Sequence, residues 1–111
     1  MGGEKKMLVL KVSETQKKIL KALVKGKLTR RQLMRETKLP RTTIYDNLVK
    51  LANVKHNGIP LIKYEDIKTT IGKGRPKRYF YIPRAILYFG IRPVVVSDNN
   101  KIELIKKNDF V

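Results

Sequence analysis

The stretch LTRRQLMRETKLPRTTIYDNLVKL, Leu28 to Leu51, decides how this chain folds. It reads as two short helices joined by a tight turn. Thr29 can cap the first, and Gln32 three positions on completes a capping box. Leu33 and Met34 give that helix its buried side. Leu39-Pro40 ends it, because the residue before a proline is pushed out of the α region. Pro40-Arg41 can open the second helix, where the N–H that proline lacks is not needed. Ile44, Leu48 and Leu51 fall at i, i+4 and i+7 and form one apolar stripe. At ~100° per residue, Thr42, Thr43, Asp46, Lys50 and Asn53 fall on the other side. A helix that is apolar behind and carries short polar groups in front suits a DNA major groove.

The segment L-x-R-T-T-I-Y-x-x-L-x-x-L, Leu39 to Leu51, resembles the recognition helix of winged-helix transcriptional regulators. That resemblance implies a helix-turn-helix with a further helix before it and a β-wing after it. Both can be found in the sequence. Ser13 reads as an N-cap with Gln16 at the third helical position. Behind it Ile19, Leu20, Leu23 and Val24 make one apolar side, lysines 17, 18, 21 and 25 lie mainly elsewhere, and Gly26 closes the helix. Downstream, Gly58 marks a turn and Pro60 begins an extended run. LIKYEDI (Leu61 to Ile67) and YFYI (Tyr79 to Ile82) read as strands. Two glycines and a proline keep KTTIGKGRPKR, between them, irregular. Its tip offers Lys73, Arg75, Lys77 and Arg78 with no acid among them. Gly-Arg-Pro, a basic residue and then an aromatic strand also resemble the wing of archaeal and bacterial regulators.

The ends of the chain are not covered by that resemblance, which runs from Ser13 to Pro83. Leu8, Leu10 and Val12 alternate, either as a short strand or as a lead-in to the first helix. Met1 to Lys6 reads as a loose end. Pro83 to Gly90 suits a short helix with proline at its first turn and glycine at its end. Val94-Val95-Val96 and Ile102 to Ile105 flank Ser-Asp-Asn-Asn-Lys, a β-hairpin signal. This tail can cover the second apolar face of YFYI.

Composition supports an anionic partner. The 111 residues suit one small domain. Lys and Arg number 26 against nine acids, a formal charge of +17. Such an excess costs self-repulsion and is usually matched by nucleic acid. A lysine-rich thermophile surface would add glutamate in proportion. Lysine and isoleucine usage still point to a thermophile, and the resemblance implies an archaeon or an archaeal virus. The chain holds no cysteine, so disulfides and thiolate chemistry are excluded. Its longest apolar run falls far short of a bilayer span, and MGGEKKM does not read as a secretory signal. We expect a cytoplasmic protein with no membrane partner.

No enzyme signature is present. His56 has neither a cysteine nor a second histidine as partner, so no metal is expected. Adjacent Glu65 and Asp66 on a strand point to opposite faces, which is wrong for paired carboxylate chemistry. Gly72-Lys73-Gly74 lacks the Gly-Lys-Ser/Thr of a phosphate loop. Tyr79 to Tyr81 and Tyr88-Phe89 are better spent on the core than on stacking bases. We expect no cofactor.

These readings converge on an α+β fold, a winged helix-turn-helix with a C-terminal helix and hairpin extension. Helices are expected near 14–25, 30–37 and 41–53, and strands near 60–66 and 78–82. Residues 1–12 form an N-terminal segment, 13–83 the DNA-binding domain and 84–111 the extension. The function implied is sequence-specific binding of double-stranded DNA by a transcriptional regulator. Thr42, Thr43, Asp46 and Lys50 face the groove; Asp46 either accepts from a cytosine amino group or, the reading we favour, orients a neighbour such as Arg41. Arg41 and Tyr45 stand at the shoulder, and Arg30 and Arg31 reach the DNA backbone. A homodimer joined through the extension would double the site. Two rivals are an RNA or single-strand binder, and a winged helix that binds protein.

The wing sequence carries a prediction of its own. Its Gly74-Arg75-Pro76 centre resembles the core of an AT-hook, which lies in a narrow A·T minor groove. Such a groove favours a weakly hydrated guanidinium over an ammonium. Arg75→Lys should therefore lose affinity mainly on DNA with A·T-rich flanks, as read by titration against flank variants. If Arg75 only neutralises phosphate, Arg75→Lys is silent and Arg75→Ala weakens all sequences alike.

Overall fold

The computed structural model describes residues 7–68, 75–95 and 102–104. Two capping boxes set the first two helices. Before α1 (Glu14–Val24), the Ser13 hydroxyl accepts from the Gln16 N–H at 3.2 Å, and Gln16 Oε1 accepts from the Ser13 N–H at 2.9 Å. Before α2 (Arg30–Thr37), Thr29 and Gln32 repeat the exchange at 3.1 and 2.8 Å. Lys38 then turns left-handed with φ 60°, and its N–H donates to the Met34 carbonyl at 2.8 Å. Thr37 is buried in this turn and its hydroxyl donates to the Leu33 carbonyl at 2.6 Å. α3 (Arg41–Ala52) opens behind Pro40, as the proline rule requires. Each helix ends within a residue of its expected limit.

Ile19, Leu20, Leu23, Leu33, Ile44, Leu48 and Leu51 form the shared core of the three helices. Val24 does not join it. It lies ~100° round α1 from Leu23 and is 51% exposed, while Gln16 and Ala22 take the inner side.

A three-stranded sheet follows, in the order β2-β6-β5. β2 (Leu28–Thr29) and β5 (Lys63–Ile67) flank β6 (Lys77–Tyr81), with Leu28 opposite Phe80 and Asp66 opposite Arg78. This is the wing, and the molecule is an α+β winged helix. The strand expected from near residue 60 begins at Lys63, because a separate hairpin intervenes. β3 (Lys55–His56) and β4 (Ile59–Pro60) are joined by Asn57 at φ 54° and Gly58 at φ 78°. Two consecutive positive φ values define the tight hairpin turn that Asn-Gly favours. Lys77, expected in the irregular tip, is already a strand residue, and Arg78 follows it in the strand expected near 78–82. Lys73 lies outside the described residues.

α4 (Arg84–Phe89) runs from Pro83 to Gly90 as expected, and buries Ile86 fully. The hairpin expected beyond it does not form. β7 (Ile91–Val95) and β8 (Glu103–Leu104) are parted by β1 (Leu8–Val12), which pairs parallel with β7 and antiparallel with β8. Leu8, Leu10 and Val12 of β1 are buried in the core. Set between them, β1 is paired on both edges, whereas direct pairing of β7 with β8 would have left it at an edge of the sheet. The N-terminal strand and the extension therefore make one sheet. The expected hairpin turn, residues 97–101, and the N-terminal residues 1–6 lie outside the described residues.

The free edge of β7 is protected. The Leu8 N–H donates to the Gly90 carbonyl at 2.9 Å in the Leu8–Ile91 register. That parity aims the backbone groups of Arg92 and Val94 at β1 and turns Pro93 outward. Proline tolerates such an edge because the N–H it lacks would have faced solvent.

Because β1 is central, its inner side chains should carry much of the stability. Leu10→Ala should cost about 2–5 kcal/mol in urea denaturation. Val9→Ala, on the other face of the strand, should cost visibly less.

Candidate nucleic-acid interface

α3 presents the expected outward face. Thr42, Asp46 and Lys50 are exposed, with Arg41 and Tyr45 beside them. Thr43 is half-buried, and its carbonyl accepts from Asn47 Nδ2 at 2.8 Å. Asp46 is not bonded to Arg41. Five residues place the two ~140° apart round the helix, too far round for the acid to orient that guanidinium.

The rotation of α3 is locked by a polar tie. Gln16 is 1% exposed, and its Nε2 donates to Asn47 Oδ1 at 3.0 Å. One side chain thus caps α1 with its oxygen and holds α3 with its nitrogen. Sequence reasoning saw only the cap. Asn47, on the edge of the outward face, passed unnoticed, though an amide at that position was the available signal.

Between α2, the start of α3 and the wing lies a trough of about 1200 Å3. Arg30, Arg31, Arg35 and Arg41 line it from the helices, and Arg75, Lys77 and Arg78 from the wing. The structure therefore brings together the expected backbone-contacting arginines, the shoulder residues Arg41 and Tyr45, and the described wing cations. It adds Arg35, and it leaves Thr42, Thr43, Asp46 and Lys50 off the trough.

The helix ends sharpen this arrangement. Neither α2 nor α3 has an acid in its first turn. Instead Arg30, Arg31 and Arg41 stand at the positive ends of the helix dipoles, each disfavoured there by ~0.3–1 kcal/mol. Arginines at two helix N-termini beside one trough give it a chemistry suited to an anion.

One wing cation is already engaged. Arg78 Nε donates to Asp66 Oδ1 at 2.8 Å and its terminal nitrogen to Oδ2 at 3.2 Å. The same guanidinium lies 4.0 Å from the centre of the Tyr64 ring. The hydrogen bond from Arg78 holds the Asp66 carboxyl below the usual carboxylate range and raises Arg78 in turn. An acid from outside the tip therefore reaches one of the wing cations. Asp66 sits across the strand pair from Arg78, twelve positions earlier in the chain. Its neighbour Glu65 accepts from Lys27 Nζ at 2.6 Å. The two carboxylates thus have different partners, as their alternation along β5 requires.

His56 sits in β3 with its ring edge-on to Phe89 at 5.4 Å between centroids. Among the described residues no cluster of His, Asp and Glu could hold a metal ion. No helix there is long and apolar enough to cross a membrane.

Three helices, the last two forming a helix-turn-helix, and a wing sheet beside them define a winged helix-turn-helix DNA-binding protein. Residues 13–54 match the family described as bacterial regulatory protein, arsR family. That span holds α1, α2 and α3, and over it the chain is similar to the helix-turn-helix domain of those DNA-binding transcriptional regulators. No curated protein and no solved structure matches the chain.

Proposed function

We propose that the chain binds double-stranded DNA sequence-specifically, with α3 in the major groove and the wing on phosphates or the adjacent minor groove. The arginines gathered at two helix N-termini over the trough carry this reading. A phosphate there would turn their unfavourable placement into a favourable one. Thr42, Thr43, Asp46 and Lys50 meet base edges. Asp46, unbonded to Arg41, is suited to accept from a cytosine amino group. Arg30, Arg31, Arg41 and Tyr45 hold the sugar-phosphate backbone, and Arg75 and Lys77 extend that contact along the wing.

The chain divides functionally at residues 13–83, which hold the DNA, and 84–111, which pair two copies. Leu87, Val94 and Val95 leave 37–40% of their surface exposed on the extension. Pro93 bars β7 from adding a strand along its length, so side chains rather than a continuous sheet make the contact.

Binding should be steeply salt-dependent. With about six phosphates neutralised, log K falls against log salt with a slope of roughly −5. Arg41→Ala should lower that slope by about one on every sequence. A preference for one site that persists as salt rises marks specificity. A slope near zero, or equal affinity for duplex RNA, refutes the proposal.

Sedimentation should show a dimer that Val94→Glu with Val95→Glu converts to monomer. A dimer undiminished by that double change places the contact elsewhere.

A further inference from the structure

Val49 is the one exposed aliphatic residue of α3, and neither the core nor the basic trough accounts for it. Ile44, Leu48 and Leu51 fix the buried side of this helix. At ~100° per residue, Val49 lies ~50° from the middle of the opposite side, as near to it as Lys50. Yet it is a branched aliphatic residue, and 45% exposed. A single exposed valine needs no explanation. This one has company. Tyr45 and Tyr64 are 53% and 55% exposed, and all three line one hollow of about 140 Å3 between α3 and the wing. Phe80 also lines it, and the guanidinium of Arg78 stands on its rim over Tyr64. Tyr45, Arg78 and Phe80 line the basic trough as well, so hollow and trough adjoin.

An apolar hollow beside an anion-binding trough calls for a small apolar group carried by an anion. The volume is too small for an independent small-molecule site, which typically needs ~300 Å3 or more. In the major groove, duplex DNA presents one apolar group to a reading helix, the 5-methyl of thymine. We propose that Val49, flanked by Tyr45 and Tyr64, receives a thymine 5-methyl group, and so selects an A·T pair opposite the later turns of α3. This inference rests on the reading of α3 as the major-groove helix, and it deepens that reading by naming a base.

The test uses the full chain and duplexes selected by it from a random pool. Each thymine of a selected duplex is replaced in turn by deoxyuridine, which removes the methyl and nothing else. At one position the wild-type protein should bind about fourfold more weakly, the worth of one buried methyl. Val49→Ala, at a half-exposed position that the fold does not need, should bind the thymine duplex correspondingly weaker and should no longer distinguish thymine from deoxyuridine. Wild-type protein that binds all the substituted duplexes as tightly as the parent overturns the proposal without touching the DNA-binding reading. So does a deoxyuridine effect that survives unchanged in Val49→Ala. Failure to select any duplex at all would remove both.

Discussion

Burial of Ile44, Leu48 and Leu51 against α1 and α2 sets the rotation of α3, and with it the side that faces out. Each of these side chains is at most 3% exposed. Fully burying one contributes about 1.5–3 kcal/mol, so turning the helix would expose apolar surface at a cost no surface contact could offset. The Gln16–Asn47 hydrogen bond adds direction to this, because a 3.0 Å bond tolerates little rotation. Thr42, Asp46, Val49 and Lys50 inherit their positions from residues that face the other way. The outward chemistry of the helix is thus held by a core that never meets a partner.

Charge is distributed with a similar economy. The excess of cations is not a uniform coat. Arginines stand at the first turns of α2 and α3, where an isolated protein would gain from acids instead. The wing arginine nearest the strand pair is held by Asp66 and Tyr64. Arg78 is therefore a strut between β5 and β6, whereas Arg75 and Lys77 line the trough without such an ion pair among the described residues. The side of the trough made by the helices is preset by the fold, and the part of the wing beside it is braced.

Local signals were legible in the sequence wherever neighbouring residues decide the outcome. The two capping boxes, the proline opening α3, the apolar stripe of α3 and the Pro83-to-Gly90 helix could all be read from spacing. The Asn57-Gly58 turn was equally local, but only its glycine was read, and the β3–β4 hairpin was missed. What the sequence hid is what depends on distant partners. Val94-Val95 and Glu103-Leu104 looked like the arms of a hairpin, because nothing near them announces that residues 8–12 lie between. Val24 fits the apolar pattern of α1 but falls where no element covers it. Asp66 and Arg78 are brought together by strand register, which a linear reading of the basic loop cannot show. Around the trough, Arg30, Arg31, Arg41, Arg75 and Arg78 were named by their type and place, and Arg35 was missed. Val49 was passed over because an aliphatic residue next to a buried stripe reads as core.

The place of β1 has a consequence for how the chain is made. Among the described residues its backbone pairs only with β7 and β8, which follow the helices and the wing, as the bond from Leu8 to Gly90 shows in part. The three helices are contiguous and rich in short-range contacts, so they can assemble as soon as residue 54 or so has emerged. Until β7 arrives, Leu8, Leu10 and Val12 remain an unpaired apolar strand. During synthesis that segment is the part of the chain most open to mispairing with another copy. Closing the sheet ends this exposure, and makes β7 and β8 the lock on β1.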